Sequence, residues 1–215
     1  YGPFFARLEA TPPPYRQYLI DVHLQRPARA LAHLVACGAE HRAEVLPFVA
    51  RHTLYREALR LLTDAPADAD AVRRAFAEAE AARGRHAQAA LLFGACGDHA
   101  RAAAEYTAAL CWREAVAAVR RDTAASPAEQ ETRYRALAER LQAAARWEPA
   151  AAVLDECCAA PADALAALCA GRLWPAAWAL VCRDSAAPLR PALVCALAAA
   201  TDETLADIAD MTARA

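Results

Sequence analysis

Eight Cys and six His give this 215-residue chain enough ligands for a metal centre, and a structural zinc would need four of them to converge. Their spacing does not bring four together. There is no Cys-x-x-Cys pair. Cys157 and Cys158 are adjacent, so on a helix they point about 100° apart. His33 with Cys37, and Cys96 with His99, each share a helix face but offer only two ligands. Most of the cysteines fall inside or at the ends of apolar helical stretches, where a free thiol behaves as a small hydrophobe. They are expected to be reduced, as in the cytoplasm, because a chain of this length can form a core without disulfides.

The other chemistry-bearing residues are no better arranged for catalysis. Glu78 and Glu80 lie on different faces of a polar helix. Asp64, Asp68 and Asp70 fill a loop or a helix start, where carboxylates oppose the positive end of the dipole. There is no Gly-rich phosphate loop and no specific grouping of Ser, His and acid. The sequence therefore points away from an enzyme, with no catalytic, cofactor-binding or metal-binding residue expected. Arg73, Arg74, Arg120 and Arg121 form the densest basic groups and are candidates for an RNA-touching rim. Glu78, Glu80 and Asp122 dilute them, and the net charge of -2 does not favour a polyanion partner.

The elements that position these residues follow from composition and pattern. Ala occupies 64 positions, and Lys and Asn are absent. This is a helix-forming composition, and the small side chain lets helices approach closely. The scarcity of β-branched residues argues against a large sheet. Arg, Asp and Glu interrupt the apolar stretches, so no membrane span is expected. The opening Tyr-Gly-Pro-Phe carries no basic, signal-like start, and the expectation is a piece of a longer polypeptide.

One phrase recurs: a bulky residue, two others, then Ala. It reads Tyr55-Arg-Glu-Ala58, Trp112-Arg-Glu-Ala115, Trp147-Glu-Pro-Ala150 and Trp174-Pro-Ala-Ala177, with weaker copies at His86 and His99. The intervals are uneven, unlike the period of about 34 in a regular tetratricopeptide (TPR) array. The fold class expected is all-α, an irregular TPR-like α-solenoid of stacked antiparallel helix pairs. Residues 1–215 are expected to form one solenoid, with loops near 11–14, 64–68, 122–126 and 183–188. Tyr55, Trp112 and Trp147 are assigned to packing.

Helices are expected over 3–10, 15–24, from Pro27 to Cys37-Gly38, and over 40–51, 55–63 and 68–82. Further helices are expected over 87–95, 100–109, 112–121 and 127–145, the last opened by a Ser126, Pro127 and Glu129 cap. The final third reads as 148–159, 162–170, 174–182, 189–199 and 203–212. Asp98 is positioned to cap the helix after it.

Several strings, taken in order, resemble the C-terminal helical region of the largest, scaffold subunit of the Elongator complex. They are Tyr1-Gly-Pro-Phe-Phe-Ala-Arg-Leu, Tyr15-Arg-Gln-Tyr18-Leu-Ile-Asp21, and Ala28 through Leu31 and Leu34 to Cys37-Gly38. Ala89-Ala-Leu-Leu-Phe93-Gly-Ala-Cys96-Gly97-Asp-His99, Trp112-Arg-Glu-Ala115, Ala151-Ala-Val-Leu154-Asp-Glu156-Cys157 and Trp174-Pro-Ala-Ala177-Trp178 follow. The resemblance implies a non-catalytic α-solenoid that, in the family, follows two β-propellers. It implies work in the cytoplasm, in a complex that modifies the wobble uridine of tRNA. The implied partners are the propeller-rich and catalytic subunits and a second copy of the chain, with weak tRNA contact and no membrane.

A homodimer contact needs an apolar patch repeated by two-fold symmetry. The candidates are Trp174, Trp178, Leu189, Leu193 and Leu197, and the alternative is that they complete the solenoid core. Two other readings of the whole chain stay open: a generic adaptor solenoid of a trafficking complex, and a solenoid that contacts RNA directly.

Overall fold

The computed structural model describes residues 13–183 and 188–214, with side chains described as far as residue 204. Every regular element among them is helical. In order these are α1 (Pro13–His23), α2 (Pro27–Ala36), a 3₁₀ turn (Gly38–His41), α3 (Arg42–His52), α4 (Tyr55–Leu61), α5 (Pro66–Ala82) and α6 (His86–Ala95). Then come α7 (His99–Ala108), α8 (Trp112–Arg121), α9 (Pro127–Ala143), α10 (Trp147–Glu156), α11 (Pro161–Ala170), α12 (Trp174–Val181) and α13 (Arg190–Arg214). They form an irregular solenoid of stacked antiparallel helix pairs with a TPR-like fold.

One joint recurs between these helices. At Gln25, Thr53, Gly84, Gly97, Leu110, Ala145 and Arg172 the backbone turns to positive φ. The N–H of each such residue reaches back three residues, and that of the next reaches back five. At Leu110 and Cys111 these bonds go to Thr107 O (3.1 Å) and Tyr106 O (3.0 Å). This is the Schellman pattern, which closes a helix by satisfying carbonyls of its last turn. The residue two places after the positive φ then opens the next helix. Those residues are Pro27, Tyr55, His86, His99, Trp112, Trp147 and Trp174.

The bulky phrase is thus the first residue after the joint, and Pro27 is a copy that bulk alone does not reveal. The phrase's Ala, three residues on, is at most 1% exposed in all seven copies, from Ala30 to Ala177. Its N–H donates to the carbonyl of the residue before the helix, for example Ala115 to Cys111 (2.9 Å). A larger side chain at this Ala would collide with the packed neighbour.

The chain divides into two compact units, Tyr1–Glu105 and Tyr106–Ala215. Unit 1 packs α1 on α2 and α5 on α6. Leu31, Leu34, Val45, Phe48, Val49, Tyr55 and Val72 form its main core cluster. The Tyr55 ring stacks on Phe76 of α5 at 5.0 Å. Unit 2 packs α9 on α10, α10 on α11, and α12 and α13 on α11. Its core includes Leu137, Leu141, Val153, Leu165, Leu180 and Val181. Trp147 sits so close to the backbone of α11's end that a Cβ on Gly171 would lie 2.4 Å from its Cγ.

Four expectations need correction. Residues 66–68 are not loop. Pro66 opens α5, its missing N–H costing nothing at a first turn. The turn over residues 38–41 is 3₁₀, and α3 begins only at Arg42. The two helices expected over 189–199 and 203–212 are one continuous α13. Thr201 and Thr204 read as a break, but their hydroxyls donate to Ala198 O (2.7 Å) and Thr201 O (2.8 Å) within the helix. None of the eight free cysteines is fully buried, and Cys182 and Cys195 are exposed. The helix expected over 3–10 lies outside the described residues, as do residues 11–12 and 184–187 of two expected loops. The cap at Ser126 is present as a complete capping box with Glu129, and Asp98 Oδ1 accepts from Arg101 N (3.1 Å).

Candidate interaction surface

In unit 2, α12 and α13 carry large apolar side chains that differ widely in exposure. Pro175, at the second position of α12, fits the first turn and leaves the aromatic positions 174 and 178 one turn apart on one face. Trp174 is half-buried, but Trp178 remains 56% exposed. On α13, Leu193 is 1% exposed and belongs to the core, and Leu197 one turn on is half-buried, as is Leu189 just before the helix. Val194, on the adjoining face, is 60% exposed. The five apolar candidates therefore range from core to open surface.

The packing residues sit as follows. Tyr55 is buried, while Trp112 and Trp147 are half-buried. Arg113 extends over the Trp112 ring at 5.1 Å.

The arginines are more occupied than the sequence suggests. Arg73 pairs with Asp70 at 2.5 Å. Arg83 and Arg85 converge on buried Glu80 at 2.8 and 3.2 Å. Burial pushes the Glu80 carboxyl up, but its two guanidinium partners outweigh this and hold it below the ordinary carboxylate range. Arg120 donates to Cys157 Sγ at 3.7 Å and engages the Tyr134 hydroxyl. Burial raises the Cys157 thiol pKa despite that cation, so the group is not an activated thiolate. Arg74 and Arg121 are exposed.

A polar cluster in unit 1 joins Tyr15, His41 and Glu44. Glu44 accepts from the Tyr15 hydroxyl at 2.9 Å and contacts His41 Nδ1 at 2.9 Å. Tyr15 stacks on His41 with ring centroids 3.9 Å apart. Burial, followed by the Glu44 hydrogen bond, pushes the Tyr15 pKa up to about 12. A phenol held protonated by a carboxylate is a structural tie between α1 and α3, not a base. Among the described residues, no three or more His, Cys, Asp or Glu converge as metal ligands. No helix there is long and apolar enough to cross a membrane.

The geometry is that of a repeat stack whose open chemistry lies on its faces and edges. Residues 15–178, running from α1 into α12, match the family described as the ELP1 TPR domain. The chain belongs to this family. Elongator complex protein 1 of Rattus norvegicus is 30% identical over 186 residues, covering 84% of this chain and 14% of the rat protein. The Mus musculus protein is 30% identical over 181 residues with the same coverage. Elongator complex protein 1 of Drosophila melanogaster is 44% identical over 57 residues, covering 26% of this chain and 5% of that protein. The chain thus spans about one seventh of the length of the mammalian relatives.

As a member of the ELP1 TPR domain family, the chain supports a scaffold and protein-interaction role. Sequence reasoning missed the exposure of Val194 and of Leu91, which is 64% exposed on α6. Ala-rich helices blur the amphipathic pattern that separates inner from outer faces. It also missed Gly171, whose role depends on Trp147, 24 positions away in the chain.

Proposed function

We propose that the chain is a non-catalytic scaffold segment of an Elongator-type complex in the cytoplasm, supporting modification of the tRNA wobble uridine. It holds partner subunits, among them the propeller-rich and catalytic ones, and contributes to homodimerisation through α12 and α13. The observation that carries this reading is the family match over residues 15–178, which spans nearly the whole run of helical joints. The exposed Trp178 supports the dimer contact, since large aromatics at interfaces carry a disproportionate share of binding energy.

The experiment is removal of the segment from the full-length protein in cells. The expected result is loss of co-purifying subunits together with a fall in wobble-uridine modification. Full modification without the segment would overturn the reading. Light scattering on the chain tests the dimer: a dimeric mass that Trp178→Asp converts to a monomer is expected, and a strict monomer at high concentration removes it.

A second reading, direct tRNA contact, draws on the exposure of Arg74 and Arg121. It requires tRNA affinity that falls steeply with salt and weakens on Arg74→Gln and Arg121→Gln.

A further inference from the structure

The link between α8 and α9, residues 122–126, differs from the recurring joint. The helix before it is closed only by the N–H of Asp122, which donates to Ala118 O and Val119 O, both at 3.2 Å. No residue of the link has positive φ. Thr123 stands in this turn with its side chain exposed.

The hydroxyl of Thr123 is set apart from the others nearby in type. Those of Thr53, Thr132, Thr201 and Thr204 each donate to a backbone carbonyl, and that of Ser126 is engaged in the capping box. Thr123 makes no side-chain hydrogen bond among the described residues. Directly before it runs Arg120-Arg121-Asp122. Arg120 meets a thiol and a phenol, and neither arginine is paired with a carboxylate among the described residues. The one acid in the run, Asp122, is already neutralised by Arg133 at 2.5 Å. The run therefore presents two uncompensated cations followed by an unengaged, solvent-facing hydroxyl.

We propose that Thr123 is a phosphorylation site for a Ser/Thr kinase that selects basic sequences. Such kinases choose substrates by charge pattern, with acidic pockets for arginines that precede the acceptor. Arg120 and Arg121 stand three and two positions before Thr123. An extended substrate pose needs only the last turn of α8 to unwind, and helix ends fray first. The γ-phosphoryl group of ATP passes to Thr123 Oγ1. Its bond to the β-phosphate oxygen breaks, the Oγ1–P bond forms, and the hydroxyl proton goes to the kinase's catalytic carboxylate. The product adds a charge of about -1.5 to -2, which turns this corner of unit 2 from net positive to net negative. The site is independent of which complex the chain serves.

The test incubates the purified 215-residue chain with the catalytic subunit of cyclic-AMP-dependent kinase and Mg-ATP, followed by intact-mass and peptide mass spectrometry. One phosphoryl group on Thr123 is expected, with none on that peptide in Thr123→Ala. Arg121 is exposed, so Arg121→Gln should leave circular dichroism unchanged. It should lower kcat/KM for the kinase about tenfold or more, as loss of one charge-assisted hydrogen bond does. Phosphate on Ser126 in place of Thr123, or a rate unaffected by Arg121→Gln, would each overturn the proposal. So would phosphorylation of a free peptide spanning residues 117–128 with none on the folded chain. Failure here leaves the co-purification test of the scaffold role untouched.

Discussion

The two units share one joint but fill it with different chemistry. All six His lie in unit 1, and all four Trp lie in unit 2. Unit 1 opens its helices after the joint with Pro27, Tyr55, His86 and His99, whereas unit 2 uses Trp112, Trp147 and Trp174. The Ala three residues later does not change between them, and it is buried in every copy. The conserved element of the repeat is therefore the space left by a small residue, and the bulky residue is free to vary. In unit 1 the variation builds a polar aromatic stack around Glu44. In unit 2 it builds apolar wedges, one of which rests on Gly171.

Because every Trp belongs to unit 2, Trp fluorescence follows that unit's unfolding while far-UV circular dichroism follows both. Trp147→Ala should have the largest effect, lowering the stability read by the remaining Trp fluorescence by about 3–5 kcal/mol. Tyr55→Ala is the counterpart in unit 1, and it should leave the Trp transition within about 0.5 kcal/mol. An equal shift in both readouts would erase the distinction and make the chain one cooperative body. Next in size, Gly171→Ala places a Cβ against the Trp147 ring and should cost about 1–3 kcal/mol in urea melts. The cost should largely vanish in the Trp147→Ala background, and a persistent cost would mean that the ring is not its cause.

Ser126→Ala removes the side-chain half of the capping box at α9 and should cost about 1 kcal/mol. Ala145→Gly has the opposite sign. Ala145 holds φ of 56° at its joint, and Gly relieves that strain, for a gain of about 0.5–1 kcal/mol. Gly84→Ala, at the equivalent joint of unit 1, should lose a similar amount, since Gly84 already sits at φ of 76°. A loss from Ala145→Gly would show that helix propensity outweighs joint strain in unit 2.

The subtlest prediction concerns acid. Glu80 in unit 1 is held below its ordinary pKa by Arg83 and Arg85. Asp122 in unit 2 is likewise held low, with Arg133 at 2.5 Å as the main cause. A depressed folded-state pKa means that the unfolded chain binds protons more readily. Both contributions are therefore present above the unfolded carboxylate pKa of about 4 and are lost as pH falls through the folded value. Glu80→Gln should flatten the acid limb of the circular-dichroism melts and leave that of Trp fluorescence unchanged. Asp122→Asn should flatten the fluorescence limb.

Helix positions were legible wherever a joint left a local mark. Pro27, Gly84, Gly97 and the Ser126–Glu129 box punctuate the chain, because capping and positive φ depend on residues only a few places apart. Five of the seven joints use a non-Gly residue at positive φ, and nothing in Gln25, Thr53, Leu110, Ala145 or Arg172 announces it. The single α13 was misread for the related reason that Thr and Asp suit both a break and a helix. At the surface, Trp178 and Leu193 are both apolar residues in the last helices, yet one is open and the other sealed. That difference arises from which helix lies opposite, and no local pattern records it.

The sequence by itself determined that the chain is helical, stacked and poor in catalytic groupings. Those properties follow from propensity, periodicity and spacing, which act over a few residues. Only the tertiary structure decided which carboxylates and arginines are already paired, and which apolar residues of the last helices are buried and which are exposed. Those outcomes depend on groups that approach from distant helices, where packing and charge pairing act through space and not along the chain.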